Sequence, residues 1–256
     1  MTTQQQIKSN ELCRLLEWDT NFFRRRIARI IPSQLTTEDI AKIQKWSQAN
    51  LVDCLYFACD ASDENSARVA EENQFRLTDV RITFELTKFP VTSNRIVSER
   101  EIRRAKSEDV LQLKEIARRS HLDSRYYFDS NFPRELCDRL YEVWIERSCN
   151  GYADAVFVAE LDRKVCGYIT CHLKEHSEGQ IGLIALDESA QGKGLGQKLF
   201  TATLDFFQSR NIERITVVTQ GRNIRAQRFY QRSDFVSCSL ELYYHWWINS
   251  PKSELP

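Results

Sequence analysis

The chain has 256 residues, and its 36 lysines and arginines balance its 36 aspartates and glutamates. This balance excludes the broad positive field of a protein that binds nucleic acid non-specifically, so we expect a small-molecule substrate. No apolar run approaches the roughly 20 residues that cross a bilayer, and residues 1–6 are polar. We therefore expect a cytoplasmic protein without a membrane partner. The length allows one large domain or two smaller ones.

Cysteine and histidine patterns do not predict a metal site. The eight cysteines are scattered without a CxxC pair, which predicts reduced and mostly buried thiols. Residues His172–His176 match the H-x-x-E-H pattern of certain zinc proteases, which requires both imidazoles on one face of a helix. Here the segment ends a strand-like run and Gly179 follows it, so we expect no metal.

A change of pattern near residues 89–94 predicts two domains, 1–92 and 93–256. An alternating run, residues 80–86, gives way there to a proline and small polar residues. The first domain is predicted as a smaller α/β unit with the order strand, helix, strand, helix, strand. A shift of 160 positions places Phe75 opposite Phe235. The first domain is either a degenerate internal copy of the second or an ordinary helix-turn-strand unit.

The second region begins with a predicted strand over 101–105, followed by a helix that Ser107 caps and whose first turn is acidic. Pro133 opens a further helix. From residue 154 onward the apolar period changes to that of strands, and a hairpin is predicted over 155–173. The region is therefore predicted to form a mixed central sheet flanked by helices.

The rest of this region alternates strands and helices. Residues 181–186 form a strand that leads directly into the glycine-rich segment 191–196, which opens a helix. A strand over 214–218, a helix over 224–232 and a long aromatic strand through Trp247 follow.

Three glycines in the segment 191–196 let backbone N–H groups approach a ligand closely, and a helix N-terminus favours an anion such as a pyrophosphate. The Walker pattern is excluded because Gly196 is followed by Gln-Lys instead of Lys-Ser or Lys-Thr. The Rossmann pattern is excluded because the spacing is G-x-G-x-G and the next strand ends in Thr219-Gln220 without an acidic residue.

The sequence Gln191-x-x-Gly194-x-Gly196 after a buried strand resembles the signature of the GCN5-related N-acetyltransferases (GNAT), and the order of elements from residue 101 to Trp247 is similar to their fold. The resemblance implies acetyl-CoA as acyl donor and no metal. It also implies a strand that splays from its neighbour, so that the backbones of Ile184 and Leu186 pair with the pantetheine arm. The implied cofactor-binding residues are Ile184, Ala185, Leu186, Gln191, Gly192, Lys193, Gly194, Leu195, Gly196, Gln197, Asn223 and Tyr230.

Acyl transfer to an amine requires a proton for the departing thiolate. Tyr230, a phenol with an ordinary pKa of about 10, is protonated at neutral pH and suits that role, which the resemblance also implies. The alternative is a core aromatic residue, like its neighbour Phe229.

A finer resemblance concerns the acceptor. Residues 123–129, 140–145 and 16–23 are similar to the dTDP-fucosamine acetyltransferases, although Arg24 stands where those relatives usually have glycine. The resemblance implies that the substrate is a dTDP-4-amino-4,6-dideoxyhexose. The candidate substrate-binding residues are Arg125 for phosphate, Tyr126 or Phe128 for stacking, and Asp129 for a hydroxyl or the amine.

Several alternatives remain open at this stage. Each of these four acceptor residues could instead support the loop, and Asp129 could cap the next helix. The acceptor could be a peptide amine or another small amine, or the chain could bind acyl-CoA without turnover. The sequence also leaves a homodimer open.

Overall fold

The computed structural model of the chain describes residues 11–89 and 101–248. Within these ranges, no helix combines the length and the apolar character needed to span a membrane. In chain order the helices and strands are β1 (Cys13–Leu15), α1 (Glu17–Phe23), β2 (Ile27–Ile30), α2 (Thr37–Ala49), β3 (Cys54–Asp60), α3 (Glu64–Glu72), β4 (Arg76–Leu86), β5 (Ile102–Arg104), α4 (Val110–Ser120), α5 (Arg125–Phe128), α6 (Arg134–Arg147), β6 (Ala155–Leu161), β7 (Lys164–Leu173), β8 (Glu178–Leu186), α7 (Leu195–Gln208), β9 (Arg214–Gln220), α8 (Ile224–Arg232) and β10 (Val236–Trp247).

The chain divides into two compact units. The first contains the residues up to Arg81 together with those from Ser239 onward, and the second is Ile82–Cys238. The boundary predicted between residues 92 and 93 lies outside the described residues and stays a prediction. The predicted second domain ran to residue 256, whereas the structure groups most of β10 with the first unit because this strand pairs with β3.

In the first unit, β1, β2, β3 and β10 are neighbours in that order. Strands β2 and β3 are parallel, whereas β1 pairs with β2, and β10 with β3, in the antiparallel sense. Helices α2 and α3 bury an apolar side in a core that includes Ile43, Phe57, Val69, Tyr244 and Trp246. The first region thus holds a small α/β unit with one more strand-helix pair than the sequence predicted.

In the second unit, the order of strands is β4, β9, β8, β7, β6 and β5, with residues from Ile82 onward representing β4. Strands β8 and β9 are parallel, and β5 to β8 are antiparallel. Helix α7 packs onto this sheet through Leu199, Phe200 and Phe207, and α4 contacts β7 and β8. The predicted mixed sheet flanked by helices is therefore confirmed, and so is the predicted hairpin, formed by β6 and β7.

Three local predictions have clear outcomes. Ser107 does not cap the helix. It is the first residue of a 3-10 turn, Ser107–Asp109, that precedes α4. At the start of this turn the carboxylate of Asp109 accepts a hydrogen bond from the backbone N–H of Lys106 at 2.7 Å. His172 lies on strand β7 as predicted, and the strand ends at Leu173. The cysteines are free thiols, and six of the eight are buried. Within the described residues, no cluster of three or more histidine, cysteine or acidic side chains could hold a metal ion.

The shift of 160 positions found in the sequence also relates elements of the structure. Strand β3 begins at residue 54 and β9 at 214, and helices α3 and α8 begin at 64 and 224. Asp63 and Asn223 each cap their helix through a side-chain oxygen, and Phe75 and Phe235 each donate a backbone hydrogen bond to the fifth residue before them. Because side-chain caps and turn hydrogen bonds coincide as well as element bounds, the structure favours an internal copy over a chance likeness.

Arg24 ends helix α1 in the left-handed conformation, with φ 53° and ψ 38°. A residue with a Cβ atom is strained in this region by about 1–2 kcal/mol, whereas glycine is not. The structure therefore gives a physical reason why a glycine suits this position, where the sequence has an arginine.

We predict that Arg24→Gly stabilises the protein by about 0.5–1 kcal/mol, because relief of the strain exceeds the added entropy of the unfolded chain. Thermal unfolding should show a rise of about 1–4 °C in Tm. Arg25→Gly is the matched control, because Arg25 is equally exposed but does not have a positive φ. A fall in Tm for Arg24→Gly, or an equal rise for both variants, would contradict the interpretation.

Candidate active site

Strands β8 and β9 pair along only part of their length. Their parallel register ends where Ile181 lies opposite Val217, although β8 continues to Leu186 and β9 to Gln220. The two strands therefore separate toward their carboxyl ends. This separation is the splayed strand that the sequence resemblance implied.

Ion pairs of Arg214 hold the paired end of β8 and β9 together. Arg214 donates to Glu178 at 2.6 Å and to Glu85 at 2.7 Å. Farther along β8 the register shifts against β7, and the backbone N–H of Leu183 donates to the Thr170 hydroxyl at 2.8 Å. This register shift between β7 and β8 lies close to the point where β8 separates from β9.

The backbone groups of the separated part point in known directions. The N–H of Asp187 donates to the carbonyl of Cys166 on the β7 side at 2.7 Å. Successive residues of a strand point their backbone N–H and C=O groups to opposite sides, so the backbone groups of Ala185, two residues before Asp187, also face β7. Ile184 and Leu186 therefore direct their N–H and C=O groups toward the gap between β8 and β9.

The glycine-rich segment after β8 needs glycine at two positions. Gly192 and Gly194 have φ values of 75° and 76°, and a Cβ atom at either would meet no described atom within 4 Å. The requirement is therefore conformational and not one of space. The side chain of Gln191 donates to the carbonyl of Leu186 at 3.2 Å and accepts from Arg225 at 2.6 Å, which ties the segment to both β8 and α8.

Helix α7 starts without a capping side chain. Its first residue is preceded by Gly194, whose carbonyl accepts from the N–H of Lys198 at 3.1 Å. The N–H groups of the first turn, 195–197, have no intrahelical acceptor by helix geometry. In α2, α3 and α8 a Thr, Asp or Asn side chain caps this end. The beginning of α7 therefore presents backbone donors and a positive dipole end to an anion.

A cavity of about 860 Å³ lies at this gap. It is lined by Arg119, Ser120, Asp123, Ile184, Ala185, Leu186, Asp187, Glu188, Ser189, Gln191, Gly196, Asn223, Arg225, Ala226, Phe229 and Tyr230. The volume is within the range of sites for cofactors and small molecules.

Seven of the predicted cofactor residues line the cavity, namely Ile184, Ala185, Leu186, Gln191, Gly196, Asn223 and Tyr230. Gly192, Lys193 and Gly194 belong to the adjoining segment between β8 and α7. The side chain of Leu195 is buried in the core, and that of Gln197 accepts from Ser233 at 3.5 Å. Leu195 and Gln197 are not among the residues that line the cavity.

Tyr230 combines burial with access to the cavity. Its side chain is 2% exposed and packs against Phe84, Phe229 and Phe235, yet it forms part of the cavity wall. Burial raises the pKa of the Tyr230 phenol well above its ordinary value. The phenol therefore remains protonated at neutral pH, as a proton donor must.

A further part of the cavity lining comes from the end of α4 and the segment after it. It includes Arg119, Ser120 and Asp123, which the sequence analysis did not select. The predicted acceptor residues follow directly, on α5 and at its end, but among the described residues they are not part of the cavity wall. The four predicted acceptor residues therefore follow the cavity lining in the chain, whereas this part of the lining itself is formed by Arg119, Ser120 and Asp123.

The four predicted acceptor residues differ in exposure. Phe128 is 49% exposed, whereas Tyr126 is 3% and Asp129 is 1% exposed. Arg125 donates to the Tyr126 hydroxyl at 2.6 Å, and Asp129 accepts from the backbone and side chain of Asn131. These contacts favour the supporting role that the sequence left open for Tyr126 and Asp129. Asp129 stabilises a turn and does not cap α6, whose cap position is taken by residue 133.

A histidine, His121, lies in the chain between Ser120 and Asp123, which line the cavity. His121 ends α4, its Nε2 lies 2.9 Å from the hydroxyl of Tyr168, and its ring stacks on Tyr141 at 4.5 Å. Burial lowers the pKa of His121 to about 4, so the imidazole is neutral at physiological pH. Tyr168 lies opposite Ala185 in the register of β7 and β8, which connects this cluster to the separated strand.

Two of the missed residues had a signal in the sequence. Arg225 lies in the first turn of α8, where a cation opposes the helix dipole. Such a placement indicates a nearby anion. Asp123 begins the stretch 123–129 that carried the resemblance, whereas Arg119 and Ser120 have no comparable signal, because polar residues at the end of a helix are common.

Comparison with known proteins agrees with this geometry. Residues 113–235 match the model of the acetyltransferase (GNAT) family. The chain is 29% identical over 133 residues to the spore coat polysaccharide biosynthesis protein SpsD of Bacillus subtilis, a match that covers 52% of this chain and 46% of that protein. It is 33% identical over 66 residues to the mycothiol acetyltransferase of Beutenbergia cavernae, covering 26% of this chain and 22% of that protein. The chain thus spans less than half the length of these two curated relatives.

A solved structure extends the likeness beyond the matched region. The GCN5-related N-acetyltransferase from Sphaerobacter thermophilus has a TM-score of 0.65 at 12% identity, covering 93% of this chain and 76% of that one. At this identity the likeness concerns the fold. The match of the family model, with which the separated strands and the glycine-rich segment agree, leads to one conclusion: residues 113–235 of the chain belong to the acetyltransferase (GNAT) family.

Proposed function

We propose that the protein transfers the acetyl group of acetyl-CoA to the amine of a nucleotide-linked amino sugar, a dTDP-4-amino-4,6-dideoxyhexose. One observation carries the proposal. The separated part of β8, the start of α7 and Tyr230 all line a single cavity, whose lining also includes the polar residues Arg119, Ser120 and Asp123. A thioester donor and an amine acceptor can thus meet in this cavity.

On the side of the cavity formed by β8, α7 and α8, a different protein group binds each part of acetyl-CoA. The N–H groups at the start of α7 bind the pyrophosphate, with Arg225 as a nearby cation. The pantetheine arm pairs with the backbone of Ile184 and Leu186 in the place of a neighbouring strand. The thioester then lies near Tyr230, at the inner end of the gap.

The reaction needs two proton transfers. The neutral amine attacks the thioester carbonyl, the carbon–nitrogen bond forms, and the carbon–sulfur bond breaks. Tyr230 donates its proton to the departing thiolate, and the amine loses one proton to water. A backbone N–H of β8 stabilises the transient oxyanion.

The acceptor side suits a weakly basic amine. Ring oxygens should hold the pKa of a sugar amine nearer to about 8 than to the 10.4 of lysine, so a strong base is not required. Asp123 in the cavity wall can orient the amine or a hydroxyl, and exposed Phe128 can stack on the sugar or the base. Arg125 remains the candidate for the acceptor's phosphates. The name of the SpsD relative, a polysaccharide biosynthesis protein, supports a sugar substrate.

We predict that the purified protein releases free CoA thiol from acetyl-CoA in the presence of a dTDP-4-amino-4,6-dideoxyhexose. A thiol-reactive dye follows the rate, and mass spectrometry should show an N-acetylated sugar nucleotide. Both sugar epimers at the amine-bearing carbon should be offered. Lysine-containing peptides and free amino sugars serve as comparisons. Faster transfer to a peptide than to both sugar nucleotides would contradict the proposed acceptor.

We predict that Tyr230→Phe lowers kcat about 100-fold, because the thiolate then leaves without its proton donor. The affinity for acetyl-CoA, measured by calorimetry, should stay within about twofold, a free-energy change of about 0.4 kcal/mol. Tyr152→Phe is the matched control, since it also removes one phenol hydroxyl but at a side chain that is 65% exposed. An unchanged kcat for Tyr230→Phe would remove this residue from the mechanism.

A further inference from the structure

We infer that Arg222 is a positioning residue that holds the acceptor segment, residues 123–128, against the turn that carries Asn223. The inference rests on the proposed function for what the segment does, but its structural part stands on contacts within the second unit. Arg222 lies between β9 and α8, next to a residue of the cavity wall.

The turn that carries Arg222 is itself well fixed. The N–H of Asn223 donates to the carbonyl of Gln220 at 3.0 Å, and the side chain of Asn223 accepts from the N–H of Ala226 at 2.9 Å. The side chain of Gln227 donates to the carbonyls of both Gln220 and Gly221, at 3.1 and 2.8 Å. Arg222 therefore projects from a rigid base.

From this base the guanidinium contacts both ends of the acceptor segment. It donates to the backbone carbonyl of Asp123 at 3.1 Å, and its central carbon lies 3.7 Å from the ring centroid of Phe128. The first contact is a charge-assisted hydrogen bond and the second a cation–π interaction. A planar guanidinium can make both at once, because it donates at its edge and stacks with its face.

The other side of the segment is attached elsewhere. The Tyr127 hydroxyl donates to Asp138 at 2.9 Å, and the Cys137 thiol donates to the carbonyl of Tyr126 at 3.4 Å. Helix α6 thus holds one side of the segment, and Arg222 holds the side toward the cofactor. Without Arg222 the segment would keep its place on α6 but lose its fixed distance from the cofactor wall.

This arrangement has a consequence for substrate binding. Asp123 and Asn223 both line the same cavity, and Arg222, next to Asn223 in the chain, donates to the backbone carbonyl of Asp123. A substrate bound near Asp123 is therefore held at a defined distance from the cofactor arm bound near Asn223. Loss of Arg222 should weaken binding of the acceptor while leaving the chemistry of the bound complex largely intact.

The test compares Arg222→Ala, Arg222→Lys and the control Arg228→Ala, an exposed arginine on the neighbouring helix α8. For dTDP-4-amino-4,6-dideoxyhexose we expect Arg222→Ala to raise KM about tenfold, or about 1.4 kcal/mol, with kcat and the KM for acetyl-CoA within about twofold. Arg222→Lys should recover part of the loss, since an ammonium can still lie over the Phe128 ring. Arg228→Ala should match the wild type. An unchanged acceptor KM in Arg222→Ala would overturn the inference.

A second measurement does not depend on the acceptor. Amide hydrogen exchange of residues 123–129 should be several-fold faster in Arg222→Ala than in the wild type, whereas exchange in α6 should be unchanged. Equal exchange rates in the segment would overturn the inference, as would faster exchange throughout α6, which would mean general loosening. If the wild type acetylates no amino-sugar nucleotide, the proposed function fails, and the exchange rates still decide whether Arg222 holds the segment.

Discussion

The candidate site depends on where one parallel strand pairing stops. Strands β8 and β9 are bound at one end by the ion pairs of Arg214 and separate after Ile181. A sheet that stayed paired would satisfy its own backbone groups and leave no opening for a ligand. Because the strands separate, the backbone of β8 can pair with an extended ligand, and the helix that follows begins at the mouth of the opening. The cavity, the access of Tyr230 to it and the position of α7 all follow from this one geometry.

The two units share part of their framework and differ in the features that suit a cofactor. Each unit contains a strand, a turn and a capped helix, and the two sets are 160 residues apart. Helix α2 of the first unit, however, starts with a capping box of Thr36 and Asp39 and carries Glu38 in its first turn, so its backbone donors are occupied and its charge is negative. Helix α7 starts at a glycine instead. Ala70 stands where the second unit has Tyr230. The two units therefore share a framework that stabilises the fold, while the features suited to a phosphate and a leaving thiolate are in the second.

The cofactor-binding part of the site could be predicted from the sequence because the patterns that indicate it lie within short stretches of the chain. Glycines at fixed spacing between a strand and a helix restrict the backbone directly, and the apolar periods placed nearly every element of the second unit. The acceptor side depends on tertiary contacts. Whether Tyr126 faces a ligand or the interior is decided by its packing against Phe132 and by the hydrogen bond from Arg125, and neither contact follows from spacing. The return of β10 to pair with β3 is also non-local, which explains why the sequence assigned the end of the chain to the second domain.

The central claim is that the segment before α7 holds the pyrophosphate of CoA, and binding of CoA to Gly194→Ala tests it most directly. The added methyl group meets no described atom within 4 Å, so its effect is on the left-handed conformation that aims the backbone donors. Gly151→Ala is the matched control, with a φ of 96° and equally open surroundings on a segment away from the cavity. By isothermal titration calorimetry we expect Gly194→Ala to weaken CoA binding by about 1–2 kcal/mol, or about 5- to 30-fold, and Gly151→Ala to bind like the wild type. Wild-type affinity in a folded Gly194→Ala, or an equal loss in both variants, would contradict the claim.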